Sequence, residues 1–267
     1  MRTVPLLLLL LPALALAATT NRPAPPRVLS LFVPANNAVF YAAQHAGAAA
    51  PSSLNAVIAL PEGFDPKQPW PLLLVTAPSG ASAVQALRGY TNVALAEGWL
   101  VAAVDGPKVS VQKDDSVFAW AMISALVEHT RRLWPQSRTW PLACAGFSGG
   151  AKRAAMTAAN LTRQHDPVLG GFMGGCNEDR ATVGLYVARP GESFLDVPMF
   201  LSNGRNDPIA GLSSGLQVKQ SMEQVGFRNV RLQSHAGGHQ LDTNDLRAAL
   251  QWFRPRPATP ARQPVQP

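Results

Sequence analysis

The sequence predicts an α/β protein with a mostly parallel central sheet and helices on both faces. Short apolar runs alternate with helix-favouring segments along most of the chain, which is the pattern of strands joined by crossover helices. Removal of a predicted leader leaves about 250 residues, enough for one large domain. The apolar content of 47% is sufficient for an extensive core. We therefore predict a single domain over residues 28–253.

Each predicted element is a run of residues with a recognisable end. Strands are short apolar runs bounded by Gly, Pro or Asp, whereas helices have apolar residues at helical spacing and end at Gly or Pro. The predicted strands are residues 54–60, 71–76, 99–104, 142–145, 168–173, 197–201 and 230–234. The predicted helices are residues 84–97, 116–133, 151–159, 216–225 and 243–253, with 178–189 as a loop or a short helix. Asp114, Asp115 and Ser116 are the candidate caps of the longest helix.

Both ends of the chain differ in composition from the predicted domain. Residues 1–18 have the positive start, compact apolar block and small-residue end of a secretory signal peptide. An uncleaved membrane anchor is the alternative, but the block is short for a span, and Pro5 and Pro12 interrupt it. Residues 19–27 and 254–267 are rich in Pro and are predicted to be flexible. We expect export to the periplasm or the extracellular space.

The chain is basic, with a formal net charge of +7 at pH 7. A basic exported protein could associate loosely with anionic envelope polymers or lipid head groups, but solvated surface arginines are the favoured explanation of the charge. Basic residues are not interleaved with aromatic ones in a nucleic-acid-binding motif. No segment after the leader has the length and apolarity of a membrane span. We expect neither a nucleic-acid partner nor a stable membrane span.

The two cysteines have two possible states. Cys144 lies in one predicted strand, and Cys176 closes the next apolar run. An oxidising compartment would allow a disulfide between them, whereas a buried free thiol is equally ordinary in a strand. The sequence leaves both states open.

A Gly-x-Ser-x-Gly pentapeptide occurs twice, centred on Ser148 and on Ser213. Ser148 follows a predicted strand and precedes an alanine-rich helical run, which is the context of a nucleophile elbow. Ser213 follows a loop instead. We predict Ser148 as a nucleophile and treat Ser213 as a chance match.

Two later loops supply the other groups that a serine nucleophile requires. Parallel sheets carry their active sites at the carboxyl ends of the strands. Asp207 and His239 each lie in a loop that follows a strand, so they are predicted as the orienting acid and the general base. Asp179 and Asp196 compete for the first role, but Asp196 precedes its strand. His235 competes for the second, but it lies closer to the strand than His239.

An oxyanion requires backbone N–H donors. Gly149, directly after the predicted nucleophile, is the first candidate donor. The second is expected from the loop after residues 71–76, where Pro78 has no N–H to donate. This leaves Ser79 or Gly80, with Ser79 preferred.

Over residues 54–253 the chain resembles the α/β-hydrolase superfamily, and within it the secreted esterases grouped with poly(3-hydroxybutyrate) depolymerases, feruloyl esterases and small carboxylesterases. The resemblance implies an eight-stranded, mostly parallel sheet and a triad of Ser148, Asp207 and His239, with no metal and no organic cofactor. The chain departs from these enzymes in two respects. Ala-Pro precedes Ser79 where they usually carry His-Gly, and there is little room for a separate lid, for which residues 177–196 are the only candidate stretch.

The function predicted from these observations is that of a secreted serine esterase acting on a small-molecule or polymeric ester. A serine peptidase on the same fold would use the same triad. A non-catalytic envelope-binding protein that keeps the fold is a third hypothesis, since the oxyanion loop is altered and the chain is basic.

Overall fold

A computed structural model describes residues 27–109 and 115–254 of the chain. Its strands are β1 (Arg27–Pro34), β2 (Ser53–Leu60), β3 (Leu72–Thr76), β4 (Leu100–Val104), β5 (Leu142–Phe147), β6 (Val168–Gly174), β7 (Met199–Gly204) and β8 (Val230–His235). Its α-helices are α1 (Asn37–His45), α2 (Ala83–Ala86), α3 (Thr91–Ala96), α4 (Ser116–Leu133), α5 (Gly149–Arg163), α6 (Arg180–Ala188), α7 (Leu212–Val225) and α8 (Thr243–Phe253).

The strands form one sheet in the order β1-β2-β4-β3-β5-β6-β7-β8. β2 runs antiparallel to both of its neighbours, and the pairs from β4 to β8 are parallel. This confirms the predicted sheet of about eight mostly parallel strands. Parallel pairing brings the carboxyl ends of β3, β5, β6, β7 and β8 to one edge, where the loops that contain the predicted site residues begin.

Helices cover both faces of the sheet, as the sequence predicts. One face packs against α1, α4, α5, α6 and α7, and the other packs against α2, α3 and α8. The central strands β3, β4 and β5 are almost fully buried because both of their faces are covered. This rigid centre holds the loop that begins with Ser148.

One helix predicted from the residue pattern is wrong, and two elements of the structure were not predicted from it. β1 and α1 were not predicted from the residues, although five of the six residues 28–33 are apolar and Val39, Ala42 and Ala43 of α1 have helical spacing. The single helix predicted over residues 84–97 is two short helices, α2 and α3. Between them Gly89 adopts φ +85°, a left-handed conformation that a continuous helix does not contain.

The first and last described residues, Arg27 and Arg254, both contact other parts of the domain. Arg27, the last residue of the predicted flexible segment 19–27, begins β1 and pairs with Leu60. Arg254, the first residue of the predicted tail, donates a hydrogen bond to the Glu97 carbonyl. The predicted signal peptide, residues 19–26 and the rest of the tail lie outside the described residues. Among the helices of the described ranges, none combines the length and apolarity needed to cross a bilayer.

Both cysteines are free and buried in the structure. Cys144 lies inside β5 opposite Gly171 of β6, whereas Cys176 follows the end of β6, so the two thiols are at different heights along the sheet. Burial raises the pKa of both thiols, that of Cys176 to about 11. Neither thiol is therefore ionised at neutral pH.

We expect two titratable thiols per denatured chain, with or without reductant. In the native protein both should react slowly with a thiol reagent, because the thiolate is scarce and the sulfur atoms are buried. Counting thiols with a chromogenic disulfide reagent in denaturant checks this. A count of zero that rises to two after reduction would instead demonstrate a disulfide.

Candidate active site

Ser148 occupies a strained turn between β5 and α5. Its backbone has φ 55° and ψ −121°, a conformation that residues other than glycine rarely adopt. The Ser148 N–H donates to the Gly174 carbonyl at 2.8 Å, which ties the turn to β6. A sharp strand-to-helix turn of this kind places the serine side chain at the carboxyl edge of the sheet.

The two motif glycines are required by close backbone contacts. A Cβ on Gly146 would overlap the Gly150 carbonyl, and a Cβ on Gly150 would overlap the Thr76 carbonyl. The Thr76 hydroxyl donates to the Gly150 carbonyl at 2.6 Å and so holds the start of α5 against β3. The second pentapeptide is different, because Ser213 lies in the first turn of α7 with no strand before it.

We expect Gly146→Ala to lower the free energy of unfolding by about 3 kcal/mol, since the added methyl group has no space. Gly149→Ala is the matched control: its Cβ would meet nothing nearer than Pro78 Cβ at 3.8 Å. That control should change stability by less than about 1 kcal/mol. Urea unfolding of both variants tests the difference. Equal stabilities would show that the turn relaxes more easily than its geometry indicates.

The structure brings His239 and Asp207 together. His239 Nδ1 lies 2.8 Å from Asp207 Oδ2. Asp207 Oδ1 accepts the N–H groups of Ile209 at 2.8 Å and Ala210 at 2.9 Å, so both carboxylate oxygens are engaged. The Asp207 side chain is 1% exposed and that of His239 is 21% exposed. A buried acid therefore orients an imidazole that remains accessible.

Two opposing effects act on the pKa of Asp207. Burial raises it, but the hydrogen bonds from Ala210, His239 and Ile209 outweigh burial and leave the pKa below its ordinary value. The carboxylate is therefore charged at neutral pH, the state in which it accepts a proton from imidazole Nδ1–H.

The His239 ring lies against the turn that contains Ser148. Its centroid is 4.8 Å from that of Phe147, the residue directly before Ser148. A Cβ on Gly175 would lie 3.2 Å from His239 Cε1, so the loop after β6 also contacts the imidazole. The imidazole, the carboxylate and the strained turn thus form one cluster at the carboxyl edge, while among the described residues no hydrogen bond joins the Ser148 hydroxyl to His239.

The competing residues have other partners. Asp179 caps α6 through Thr182 and accepts the Ser221 hydroxyl. Asp196 forms an exposed ion pair with Arg228. His235 Nδ1 accepts the Gly237 N–H within the loop that leads to His239. These side chains support the elements around the cluster without joining it.

The loop after β3 lies beside the start of α5, where an oxyanion would be bound. The Gly80 N–H donates to the Pro107 carbonyl at 3.0 Å, whereas the Ser79 N–H donates to no backbone carbonyl in the part of the chain that the structure describes. Pro78 packs near Gly149. This geometry favours Ser79 over Gly80 as the second donor, beside Gly149 as the first.

Two functional candidates, Arg153 and Asp115, do not follow from the sequence pattern. Arg153 lies in the alanine-rich helix, where an arginine normally indicates a solvated face, and Asp115 is one of three candidate caps of α4. Both are 7% exposed. Their side chains form an ion pair at 2.6 Å behind the loop that contains Ser79. Only their burial, which depends on the tertiary structure, distinguishes them.

A third residue of this kind, Asn203, supports the loop that carries the acid. Asn203 is fully buried, and its amide donates to the Cys176 carbonyl at 3.0 Å and to the Ala210 carbonyl at 2.8 Å.

Within the described ranges, no group of three or more His, Cys, Asp or Glu side chains could hold a metal ion.

The fold and this cluster define a class of protein. The chain has the α/β-hydrolase fold, and its structural neighbours include several esterases and a protein assigned as a dipeptidyl aminopeptidase IV. No family model matches the chain. It is similar to acyl-protein thioesterase 1 of Candida albicans, with 28% identity over 113 residues that cover 41% of this chain and 47% of the thioesterase. The match thus spans less than half of that curated relative.

Two solved structures extend the similarity to most of the chain. A bacterial heroin esterase superimposes with a TM-score of 0.60 and 16% identity, over 86% of this chain and 85% of its own. A ferulic acid esterase superimposes with a TM-score of 0.57 and 16% identity, over 84% of this chain and 95% of its own. At these identities the similarity demonstrates the fold, and the chemistry must be argued from the residues.

Proposed function

We propose that this protein is a carboxylic ester hydrolase with Ser148 as its nucleophile. The observation that carries the proposal is the His239–Asp207 pair, joined at 2.8 Å and packed beside the strained turn at Ser148. A serine hydroxyl is a weak nucleophile without a base, and the base needs a third group to set its tautomer. The similar proteins, a thioesterase and two esterases by name, agree with acyl transfer to water.

Each residue has a defined part in the proposed reaction. Ser148 Oγ attacks the ester carbonyl while His239 Nε2 takes its proton, and Asp207 stabilises the resulting imidazolium. The carbonyl oxygen becomes an oxyanion facing the N–H groups of Gly149 and Ser79. His239 then protonates the leaving alcohol, which leaves an acyl group on Ser148. Water, deprotonated by His239, attacks the acyl group, and His239 returns that proton to Ser148 Oγ as the carboxylic acid is released.

The surroundings of the cluster favour an open site. The His239 ring is partly exposed, Ser79 is exposed, and Ile209 beside Asp207 is 59% exposed. Residues 177–196, the stretch in which the sequence allows a lid, instead form α6 and a 3-10 turn, and Gly184 of α6 packs on Ala159 of α5. An open site agrees with either a small-molecule or a polymeric ester substrate.

The experiment combines turnover with active-site labelling. Purified protein lacking residues 1–18 is incubated with p-nitrophenyl acetate and butyrate, and separately with a fluorophosphonate whose adduct is mapped by mass spectrometry. We expect turnover of the esters and a single adduct on Ser148. Absence of both would refute the proposal and favour a non-catalytic binding protein. Faster cleavage of peptide amides than of matched esters would instead indicate a peptidase.

The site of action is a second part of this proposal. The predicted signal peptide at residues 1–18 implies export, with the activity in the periplasm or outside the cell. Amino-terminal sequencing of protein recovered from a secreting host should start near residue 18 or 19. A chain that retains Met1 and stays with the cytoplasmic fraction would refute export without affecting the proposed chemistry.

A further inference from the structure

A buried ion pair lies directly behind the loop that would bind the oxyanion. Arg153 Nη2 donates to Asp115 Oδ1 at 2.8 Å and Oδ2 at 2.6 Å, and Arg153 Nε donates to Oδ1 at 3.0 Å. The side chains are 8% and 9% exposed. The guanidinium group therefore meets the carboxylate through two nitrogens, an arrangement that fixes the orientation of both groups.

The same guanidinium group also holds the loop after β3. Arg153 Nη1 donates to the Ala77 carbonyl, and Nη2 donates to the Ser79 hydroxyl at 2.6 Å. The Ser79 hydroxyl in turn donates to Asp115 Oδ2 at 2.8 Å. Both sides of Pro78 are therefore attached to the ion pair, while the N–H of the exposed Ser79 donates to no backbone carbonyl of residues 27–109 and 115–254.

Helix stability alone does not explain this pair. Burying two charges is costly, and apolar residues often stabilise a fold as well as a buried ion pair does. Asp115 also occupies the N-cap position of α4 but makes no capping hydrogen bond there, although Asp is a preferred capping residue. Its carboxylate is directed to Arg153 and Ser79 instead. Departures from a local preference, such as this unused capping position, are expected near functional sites.

The pair is suited to positioning more than to supplying charge. Arg153 and Asp115 have opposite charges in direct contact, so their net field at the oxyanion is small. The remaining support of the loop comes from the other side, where the Gly80 N–H donates to the Pro107 carbonyl and Gly106 is in close contact with the Pro78 carbonyl. The Pro78 carbonyl, which belongs to the same peptide group as the Ser79 N–H, also accepts the Ala81 N–H at 3.2 Å. Arg153 adds an anchor on each side of that peptide, at the Ala77 carbonyl and at the Ser79 hydroxyl.

We propose that Arg153, held by Asp115, is a positioning residue that orients the Ser79 N–H toward the oxyanion. This inference rests on the proposed esterase function and adds a residue that acts through the loop without touching the substrate. A donor that is misplaced stabilises the transition state less, while ground-state binding of the ester changes little.

The main test removes both charges together. Arg153→Met combined with Asp115→Asn leaves no uncompensated buried charge, so the double variant should fold with an unfolding midpoint close to that of the wild type. Its kcat for p-nitrophenyl butyrate should fall on the order of 100-fold, the typical effect of losing an oxyanion donor. Its KM should stay within about threefold, since the loss is confined to the transition state.

The control is a second Arg–Asp pair of similar burial at the opposite edge of the sheet. Arg131 and Asp166 are joined by an ion pair with side chains 10% and 9% exposed. Asp166 precedes β6, so it lies at the amino edge, away from Ser148. Arg131→Met with Asp166→Asn removes an equivalent pair, and kcat should remain within about twofold of the wild-type value.

A third variant keeps the charge but changes its geometry. Arg153→Lys retains a cation beside Asp115. An ammonium group lacks the planar, forked geometry of guanidinium, so it cannot hydrogen-bond Ala77, Ser79 and both carboxylate oxygens at once. It should fold and lose about tenfold in kcat, between the wild type and the double variant. In all variants, the inhibition constant of a boronic acid, which forms a tetrahedral adduct on a serine nucleophile, should rise in proportion to the loss of kcat/KM.

The outcomes separate this inference from the proposed function. Wild-type protein without ester turnover would overturn both. Wild-type turnover retained in the double variant and in Arg153→Lys would overturn the positioning role alone. A loss that appears equally in the Arg131 control, or a rise in KM with kcat unchanged, would also overturn it. If the double variant does not fold, Arg153→Lys decides the question by its kcat, KM and boronate inhibition.

Discussion

Ser148→Ala is expected to reduce kcat for short esters by on the order of 10⁶-fold, to the level left by substrate binding and the oxyanion donors. The reason is that no acyl-enzyme forms without Oγ, and His239 then has no hydroxyl to deprotonate. Alanine retains the Cβ of serine, and the residue keeps its backbone φ of 55°. The backbone strain and the unfolding midpoint should therefore be nearly unchanged. Stopped assays with high enzyme concentration, together with thermal unfolding, measure both quantities.

Ser213→Ala is the matched control for this prediction, since Ser213 occupies the second Gly-x-Ser-x-Gly pentapeptide. It begins the surface helix α7, and its removal should leave kcat and KM at wild-type values. Retention of activity in Ser148→Ala, with loss in Ser213→Ala, would reverse the assignment and contradict the reading of β5 and α5 as a nucleophile elbow.

Asp207→Asn is expected to reduce kcat on the order of 10⁴-fold while changing KM little. An amide in place of the carboxylate cannot accept Nδ1–H in the same way and stabilise the imidazolium, so His239 is held in the wrong tautomer. Steady-state kinetics of the purified variant at neutral pH test this. Asp196→Asn is the control, because Asp196 lies in an exposed ion pair with Arg228 and should have no influence on kcat.

The same carboxylate predicts a pH dependence of stability. Hydrogen bonds hold the folded-state pKa of Asp207 below its ordinary value despite burial. The resulting stabilisation is fully present above the unfolded-state pKa, about 4 for Asp, and is lost as pH falls through the folded-state pKa. The stability difference between wild type and Asp207→Asn should therefore be constant at neutral pH and shrink below about pH 4. A difference that grows toward acid pH would contradict this sign.

The elements that the sequence predicted well are those with a strong local signal. The helix predicted over residues 116–133 and that over 243–253 match α4 and α8 at both ends, because apolar spacing and a following Pro or change of composition mark their limits. The central strands were found because burial on both faces makes them continuous apolar runs. β1, by contrast, is an edge strand that depends on pairing with β2, and the break at Gly89 depends on contacts of α2 and α3 with the sheet.

The sequence alone also predicted which residues to examine at the candidate site. Ser148, Asp207 and His239 each follow a strand of a parallel sheet, and such positions share one edge whatever the details of packing. Their catalytic roles remain predictions until the variants are measured. The sequence also preferred Ser79 over Gly80 as the second donor, and the structure adds the reason that the Gly80 N–H is already bonded to Pro107.

For this protein, the sequence by itself determined the α/β class, the strand-to-helix turn at Ser148 and the order in which the predicted acid and base follow it. These features come from local spacing and from the direction of parallel strands. Only the tertiary structure decided that Asp207 contacts His239 and that the buried pair of Arg153 and Asp115 holds the loop at Ser79. Those contacts join residues far apart in the chain, and polar side chains of this kind show no periodicity that distinguishes a buried partner from a solvated one.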